Sequence, residues 1–370
     1  MEQINIGKND DGRRVDAVVA RYLPAAGKAF IYKMLRKKNI VLNGKKAEGS
    51  ERVTQGNVVT LYLADETIAK FKGQPGKTDG FPDAHTGPGE ADAIAGGKGS
   101  FEFDFTAAIV YEDEDVIIVN KPAGILSQKA KPEDVSVNEY LAEYCLAKGI
   151  ITKEELATFR PSVCNRLDRN TSGLLTCGVS LKGQRELSRL IRERKLEKYY
   201  ICVVEGSVSE GAHLTSYLKK DHETNKVEVR KDPFPDADKV ELEYRPLGKE
   251  AGETVTTGDL NKSGKQVRNG KEYTILEVRL LTGKSHQIRA QLAAIGHPIA
   301  GDPKYGSKTE AAASQNGLLP RNIKSSGTGK SLGLYTSSGG SRAQLLCAYR
   351  LVFPPDTELT RLAGREFRLE

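Results

Sequence analysis

The stretch Asn165-Arg166-Leu167-Asp168-Arg169-Asn170-Thr171-Ser172-Gly173-Leu174-Leu175 places one acid between two arginines, ahead of an apolar run. A nearby guanidinium favours the charged form of a carboxylate. Asp168 is therefore either a structural clamp for a turn or a nucleophile. A second string, Thr282-Gly283-Lys284-Ser285-His286-Gln287-Ile288-Arg289, follows an alternating apolar segment at 275–281 and reads as strand, turn and helix, with Ser285 as N-cap. Lys284 at such a helix start suits an anion. Arg289 lies one turn in, off the apolar stripe of Ile288, Leu292 and Ile295, where a surface salt bridge would account for it. In a third string, Lys198-Tyr199-Tyr200-Ile201-Cys202-Val203-Val204-Glu205-Gly206, successive side chains of a strand point to opposite faces. Tyr199 and Tyr200 cannot both be core: either one turns its hydroxyl to a cleft, or both belong to an ordinary half-buried sheet.

The elements that position these strings fall into three regions. Residues 1–63 read as a small basic module: a helix with Val15, Val18, Val19, Tyr22 and Leu23 on one face, then a second around Phe30, Ile31, Met34 and Leu35. A strand at 40–42 ends in the Asn43-Gly44 signature of a hairpin, and Val58, Val59, Leu61 and Leu63 supply a returning strand. Residues 64–102 hold eight glycines and three prolines between Gly73 and Gly99 and read as a flexible linker. From 103 to 370 the chain is globular. Apolar runs flank Glu112-Asp113-Glu114-Asp115 as a hairpin, helices are expected within 135–158 and 181–194, 207–270 is polar and strand-poor, 309–343 is a Ser/Gly-rich insertion, and 345–353 is a final strand. The fold class is α+β, a small module tethered to a mixed, largely antiparallel sheet flanked by helices and loops.

Charge is concentrated at the front. Residues 1–46 carry eleven Lys/Arg against four Asp/Glu, an excess equal to the net charge of +7 of all 370 residues. Arg13, Arg14, Lys33, Arg36, Lys37, Lys38 and Lys45 form either a solvated helix face or a phosphate-contacting surface. The first residues lack the pattern of a secretory signal, and no run of about 18 apolar residues marks a membrane span. Five scattered cysteines without C-x-x-C fit reduced, buried thiols of a cytoplasmic protein. The five histidines show no metal-ligand spacing, so neither metal nor cofactor is expected.

Two resemblances emerge from these strings. Arg14-Val15-Asp16, residues 30–37 and Val41-Leu42-Asn43-Gly44-Lys45 resemble an S4 RNA-binding domain. Asn120-Lys121-Pro122-Ala123-Gly124, the Asp168 string, the Tyr200 string and the Arg289 string with Ile295-Gly296-His297-Pro298-Ile299-Ala300-Gly301-Asp302-Pro303-Lys304-Tyr305-Gly306 resemble the RluA-type pseudouridine synthases over residues 105–306 and the last strand. Together they resemble the subgroup acting on large-subunit ribosomal RNA. The resemblance implies a monomeric, cofactor-free uridine isomerase that moves the glycosidic bond from base nitrogen to carbon 5. Asp168 would be the nucleophile or would remove a sugar proton. Tyr200 would stack on the base and help remove the carbon-5 proton, Arg289 would pair with Asp168, and Arg166 would fill the gap left by a flipped uridine. Arg169 would remain a structural partner of the turn. Asn165, Asn170, Gln128 and Cys347 depart from the common pattern, which bears on subfamily and leaves the proposed chemical groups intact. A transfer-RNA synthase and a non-catalytic ribosome-assembly factor are the rival readings; a metal-dependent hydrolase lacks clustered ligands.

Overall fold

A computed structural model describes residues 1–72, 103–221, 227–247, 255–256, 266–268, 271–306, 324–325 and 344–369. They form two compact units. One comprises Met1–Glu102, Ala142–Pro161 and Val179–Lys182, and the other Phe103–Leu141, Ser162–Gly178 and Gly183–Glu370.

The first unit carries β1 (Glu2–Asn5), α1 (Val15–Tyr22), α2 (Lys28–Arg36), β2 (Ile40–Leu42), β3 (Lys45–Lys46), β4 (Val58–Leu61) and α3 (Asp65–Lys72). Its strands pair antiparallel in the order β1-β4-β2-β3. The apolar faces read from sequence close one core, with Val15, Val18, Val19, Leu23, Ile31 and Leu35 all at most 1% exposed. Asn43 and Gly44 take positive φ of 49° and 73°, the geometry that a tight two-residue hairpin demands. The expected linker does not begin at 64. Residues 65–72 are helical because Ile68 and Phe71 recur at helical spacing and pack on that core. The remainder of the expected linker, 73–102, lies outside the described residues. Within the same unit, Arg13 Nη1 donates to the Thr158 carbonyl at 3.0 Å and lies 3.5 Å from Asp10, whose carboxylate accepts the Thr158 hydroxyl.

The second unit is built on β5 (Ile109–Glu112), β6 (Val116–Lys121), β7 (Ser162–Val163), β8 (Ser172–Gly178), β9 (Glu197–Glu205), β10 (Ala212–Lys220), β11 (Val227–Arg230), β12 (Asp238–Pro246), β13 (Val255–Thr256), β14 (Gln266–Arg268), β15 (Lys271–Leu280), β16 (Lys324–Ser325), β17 (Leu346–Val352) and β18 (Glu366–Arg368). Three helices accompany them in the chain: α4 (Val137–Ala147), α5 (Leu181–Arg192) and α6 (Gln287–Ala294). The main sheet runs β11-β10-β12-β15-β9-β17-β8-β6-β5, with β7, β14 and β18 pairing off that path. Every pairing in it is antiparallel except β17 with β8. Apart from the short pair β13–β16, the expected insertion at 309–343 and much of 248–270 lie outside the described residues.

Residues 207–270 prove richer in strands than the sequence reading allowed. Each of β10 and β12 buries only part of one face, Leu218 on one and Val240 with Leu242 on the other. The outer face is charged, with His213 opposite Glu243 and Thr215 opposite Glu241. Cross-strand pairs of this kind support an antiparallel ladder without an apolar run to announce it.

The parallel seam explains one motif residue. Gly173 pairs with Ala348 at a φ of +113°, and a Cβ there would stand 2.2 Å from the Ala348 carbonyl oxygen. Gly173→Ala combines backbone strain with backbone overlap and should cost roughly 2–4 kcal/mol in urea unfolding. A loss well under 1 kcal/mol would show that the seam is not as closely packed as described.

Candidate active site

Asp168 lies in the loop between β7 and β8, and that loop is held by backbone groups of its neighbours. Ser127 Oγ donates to the Leu167 carbonyl at 2.9 Å and accepts the Leu167 N–H at 3.0 Å. Thr171 N–H donates to the Asp168 carbonyl at 3.0 Å. Asn165 Oδ1 accepts the backbone and hydroxyl donors of Thr176 at 2.7 and 2.8 Å. Lys121, fully buried at the end of β6, donates to the carbonyls of Pro122, Ile125 and Arg169 at 2.9, 2.9 and 3.1 Å. Burial pushes its pKa down to about 7 against the pull of Asp168, and three carbonyls occupy all three ammonium protons.

Arg289 reaches this loop from α6. Its Nη1 donates to Asp168 Oδ2 at 2.7 Å, while Nε and Nη2 form a fork onto Asp302 at 2.7 and 2.9 Å. Burial opposes the guanidinium charge, but the hydrogen bonds and charges of Asp302 and Asp168 prevail and raise its pKa. Asp302 is sealed from solvent; its Oδ1 also accepts the N–H groups of Lys304 and Tyr305 at 2.9 and 3.1 Å. Asp168 keeps 27% of its side chain exposed. One arginine thus joins a sealed carboxylate to an open one.

Around that pair stand His286, Tyr305 and Tyr200. His286 Nε2 is 3.9 Å from Asp168 Oδ2, and its Nδ1 is 2.9 Å from the Tyr305 hydroxyl. Burial pushes the imidazole pKa down despite Asp168, keeping the ring neutral. The Tyr305 ring lies under the Arg289 guanidinium at 5.3 Å. Tyr200 is 6% exposed, and burial with the Asp168 charge raises its pKa, so it stands as a neutral phenol. Tyr199, by contrast, turns its hydroxyl to Glu197 at 2.7 Å and its ring to Arg350 at 3.7 Å.

The three expected catalytic side chains therefore converge, and several other expectations change. Ser285 does not cap α6. His286, at a left-handed φ of 55°, precedes the helix, and Gln287 Oε1 accepts from Thr282 Oγ1 at 2.9 Å and Lys284 N–H at 3.2 Å. Ile295 is exposed, and Arg289 is buried where a surface salt bridge would have left it in solvent. Arg169 faces Asp134 at 3.7 Å, and Lys284 is engaged with Asp238 at 2.7 Å. Arg166 is exposed. In the first unit Arg13 is buried and its charge is directed inward, because Asp10 and Thr158 surround it, whereas Arg14 pairs with Asp16 at 3.0 Å. Lys33, Arg36, Lys37, Lys38 and Lys45 are exposed, and none makes an ion pair with a described residue. Sequence reasoning assigned no role to Lys121, His286, Asp302 or Tyr305. All four were visible inside the quoted strings, but only a fold shows which of them face Asp168.

Residues 115–294 match the family model described as RNA pseudouridylate synthase. Over that stretch the chain is similar to the family. A ribosomal large subunit pseudouridine synthase D of Xylella fastidiosa is 28% identical over 80% of this chain and 72% of its own length. An uncharacterized RNA pseudouridine synthase of Mycoplasma genitalium is 26% identical over 81% and 80%. Among solved structures, human RNA pseudouridylate synthase domain containing 1 aligns over 71% of this chain and 82% of its own, at a TM-score of 0.47 and 16% identity.

Asp302→Asn tests the carboxylate relay. Without that charge Arg289 loses its anchor, and breaking a buried pair costs about 3–5 kcal/mol of stability. Turnover should fall about 10- to 100-fold, the range for a lost orienting contact, with RNA affinity retained. Single-turnover kinetics beside an unfolding curve measures both, and normal turnover in the variant would refute the relay.

Proposed function

We propose that this synthase isomerises specific uridines of large-subunit ribosomal RNA in the cytoplasm. The observation that carries the reading is the convergence of Asp168, Arg289 and Tyr200 inside the family-matched region. The target base is inaccessible while stacked, so the nucleotide must flip out, at a cost of a few kcal/mol. Stacking on an aromatic ring returns about 1–3 kcal/mol per base, and Tyr200 offers that ring beside Asp168. Exposed Arg166, in the same loop, is the side chain that enters the vacated stack. Asp168, paired with Arg289, acts on the sugar while the bond to the base nitrogen breaks. The base then turns, its carbon 5 bonds to the sugar, the carbon-5 proton leaves and the nitrogen ends protonated. Tyr200, as a neutral phenol, supports that proton transfer by position.

The first unit supplies RNA affinity as an S4-type module. Its exposed Lys33, Arg36, Lys37, Lys38 and Lys45 lie on and after the basic helix and on the hairpin, where phosphates can be met without competition from carboxylates. The names of relatives such as the Xylella fastidiosa protein favour ribosomal over transfer RNA as substrate.

Two outcomes follow. Pseudouridine mapping of total RNA from cells lacking the gene should show loss at one or a few large-subunit positions, restored by the wild-type chain; losses confined to transfer RNA would contradict the assignment. Replacing Lys33, Arg36 and Lys37 together by Ala should reduce the slope of log affinity against log salt by about 2–3, with turnover at saturating RNA unchanged. An unchanged slope would remove this surface from RNA binding.

A further inference from the structure

Two residues before Tyr200 on the same strand stands Lys198. Side chains two apart on a strand share a face and lie about 7 Å apart along it. Lys198 is 7% exposed. Burial and the positive charge of Arg194 both push its pKa down, and among the described residues no carboxylate counters them. Lys121, more deeply buried still, is saturated by three carbonyls. Lys198 has no such set, and leaving a buried ammonium unpaired is costly.

Its surroundings show where a partner would enter. The Lys198 Nζ lies 3.8 Å from the place a Cβ would occupy on Gly283, and Gly283 is an exposed residue without a side chain. The ammonium therefore sits just beneath the surface at that turn. From Gly283 the turn continues to His286, 3.9 Å from Asp168, and into the N-terminus of α6, whose dipole favours negative charge. Arg194, which is exposed, adds a second cation. A compact ammonium of this kind binds as a point charge, which suits phosphate oxygens.

We propose that Lys198 and the Gly283 turn form a phosphate subsite that seats a backbone phosphate of the RNA next to the nucleotide held at Asp168. The inference rests on the uridine-isomerase reading above. Lys198 is a binding residue for the strand and takes no part in bond breaking. Seating one phosphate there fixes the register that delivers a single nucleotide to Tyr200.

Lys198→Met, Lys198→Gln and Lys198→Arg in the full chain test it by salt titration of RNA-fragment binding and by single-turnover kinetics. The Met and Gln variants should lose one phosphate contact, so the slope of log affinity against log salt drops by about 0.7–0.9. Affinity at low salt should weaken about 10-fold, turnover at saturating RNA should stay within about 3-fold, and Arg should restore the slope. Unchanged slopes and affinities in folded Met and Gln variants would overturn the subsite, as would a turnover loss with intact binding. A Lys198-dependent slope in a wild-type chain that forms no pseudouridine would uphold the subsite and sink the catalytic reading instead.

Discussion

One guanidinium shared by two carboxylates organises the second unit. Arg289 could not point at Asp168 by its own choice, because a long side chain leaving α6 has many rotamers open to it. Asp302 removes that freedom with a planar fork, and backbone N–H groups of Lys304 and Tyr305 fix Asp302 in turn. Orientation therefore runs outward from a solvent-free carboxylate to the open one. The arrangement asks much of the fold, since burying the Arg289–Asp302 pair is favourable only when geometry and hydrogen bonds are nearly complete.

The other half of the constraint is the loop bearing Asp168. Ser127, Lys121 and Asn165 grip its backbone from three directions, leaving the side chain partly exposed. Gly173 then lets that loop enter the sheet against β17 at a distance no other residue permits. The parallel seam, the only break in an otherwise antiparallel path among the described strands, thus lies directly after the loop of Asp168. Rigid backbone and a side chain open to a ligand are what a carboxylate needs if it is to meet a sugar in one orientation.

Much of this was legible in the sequence, for identifiable reasons. α1 and α2 announced themselves because their apolar residues recur at helical spacing, and Asn43-Gly44 dictates its own turn. β9 and β17 were legible as apolar runs because central strands are buried on both faces. The polar ladder of β10 and β12 was not, since its outer face is written in charged cross-strand pairs. Arg13 looked like part of a basic surface until Asp10 and Thr158 were seen around it, because charge counting along a chain carries no information about direction. Asp302 was likewise present in a quoted string, but 134 positions after Asp168 nothing local links the two. Partnerships made through tertiary structure are the class of fact that periodicity and composition do not encode.

Asp168 as the reacting group is the central claim, and release of the carbon-5 hydrogen addresses it directly. Large-subunit RNA fragments labelled with tritium at carbon 5 of uridine would be incubated with purified wild-type chain and with Asp168→Asn, both folded and both shown to bind the RNA. The account predicts tritium release by the wild type, stoichiometric with the modified site, and none above background from the variant. Release by Asp168→Asn at a rate comparable to wild type would contradict it.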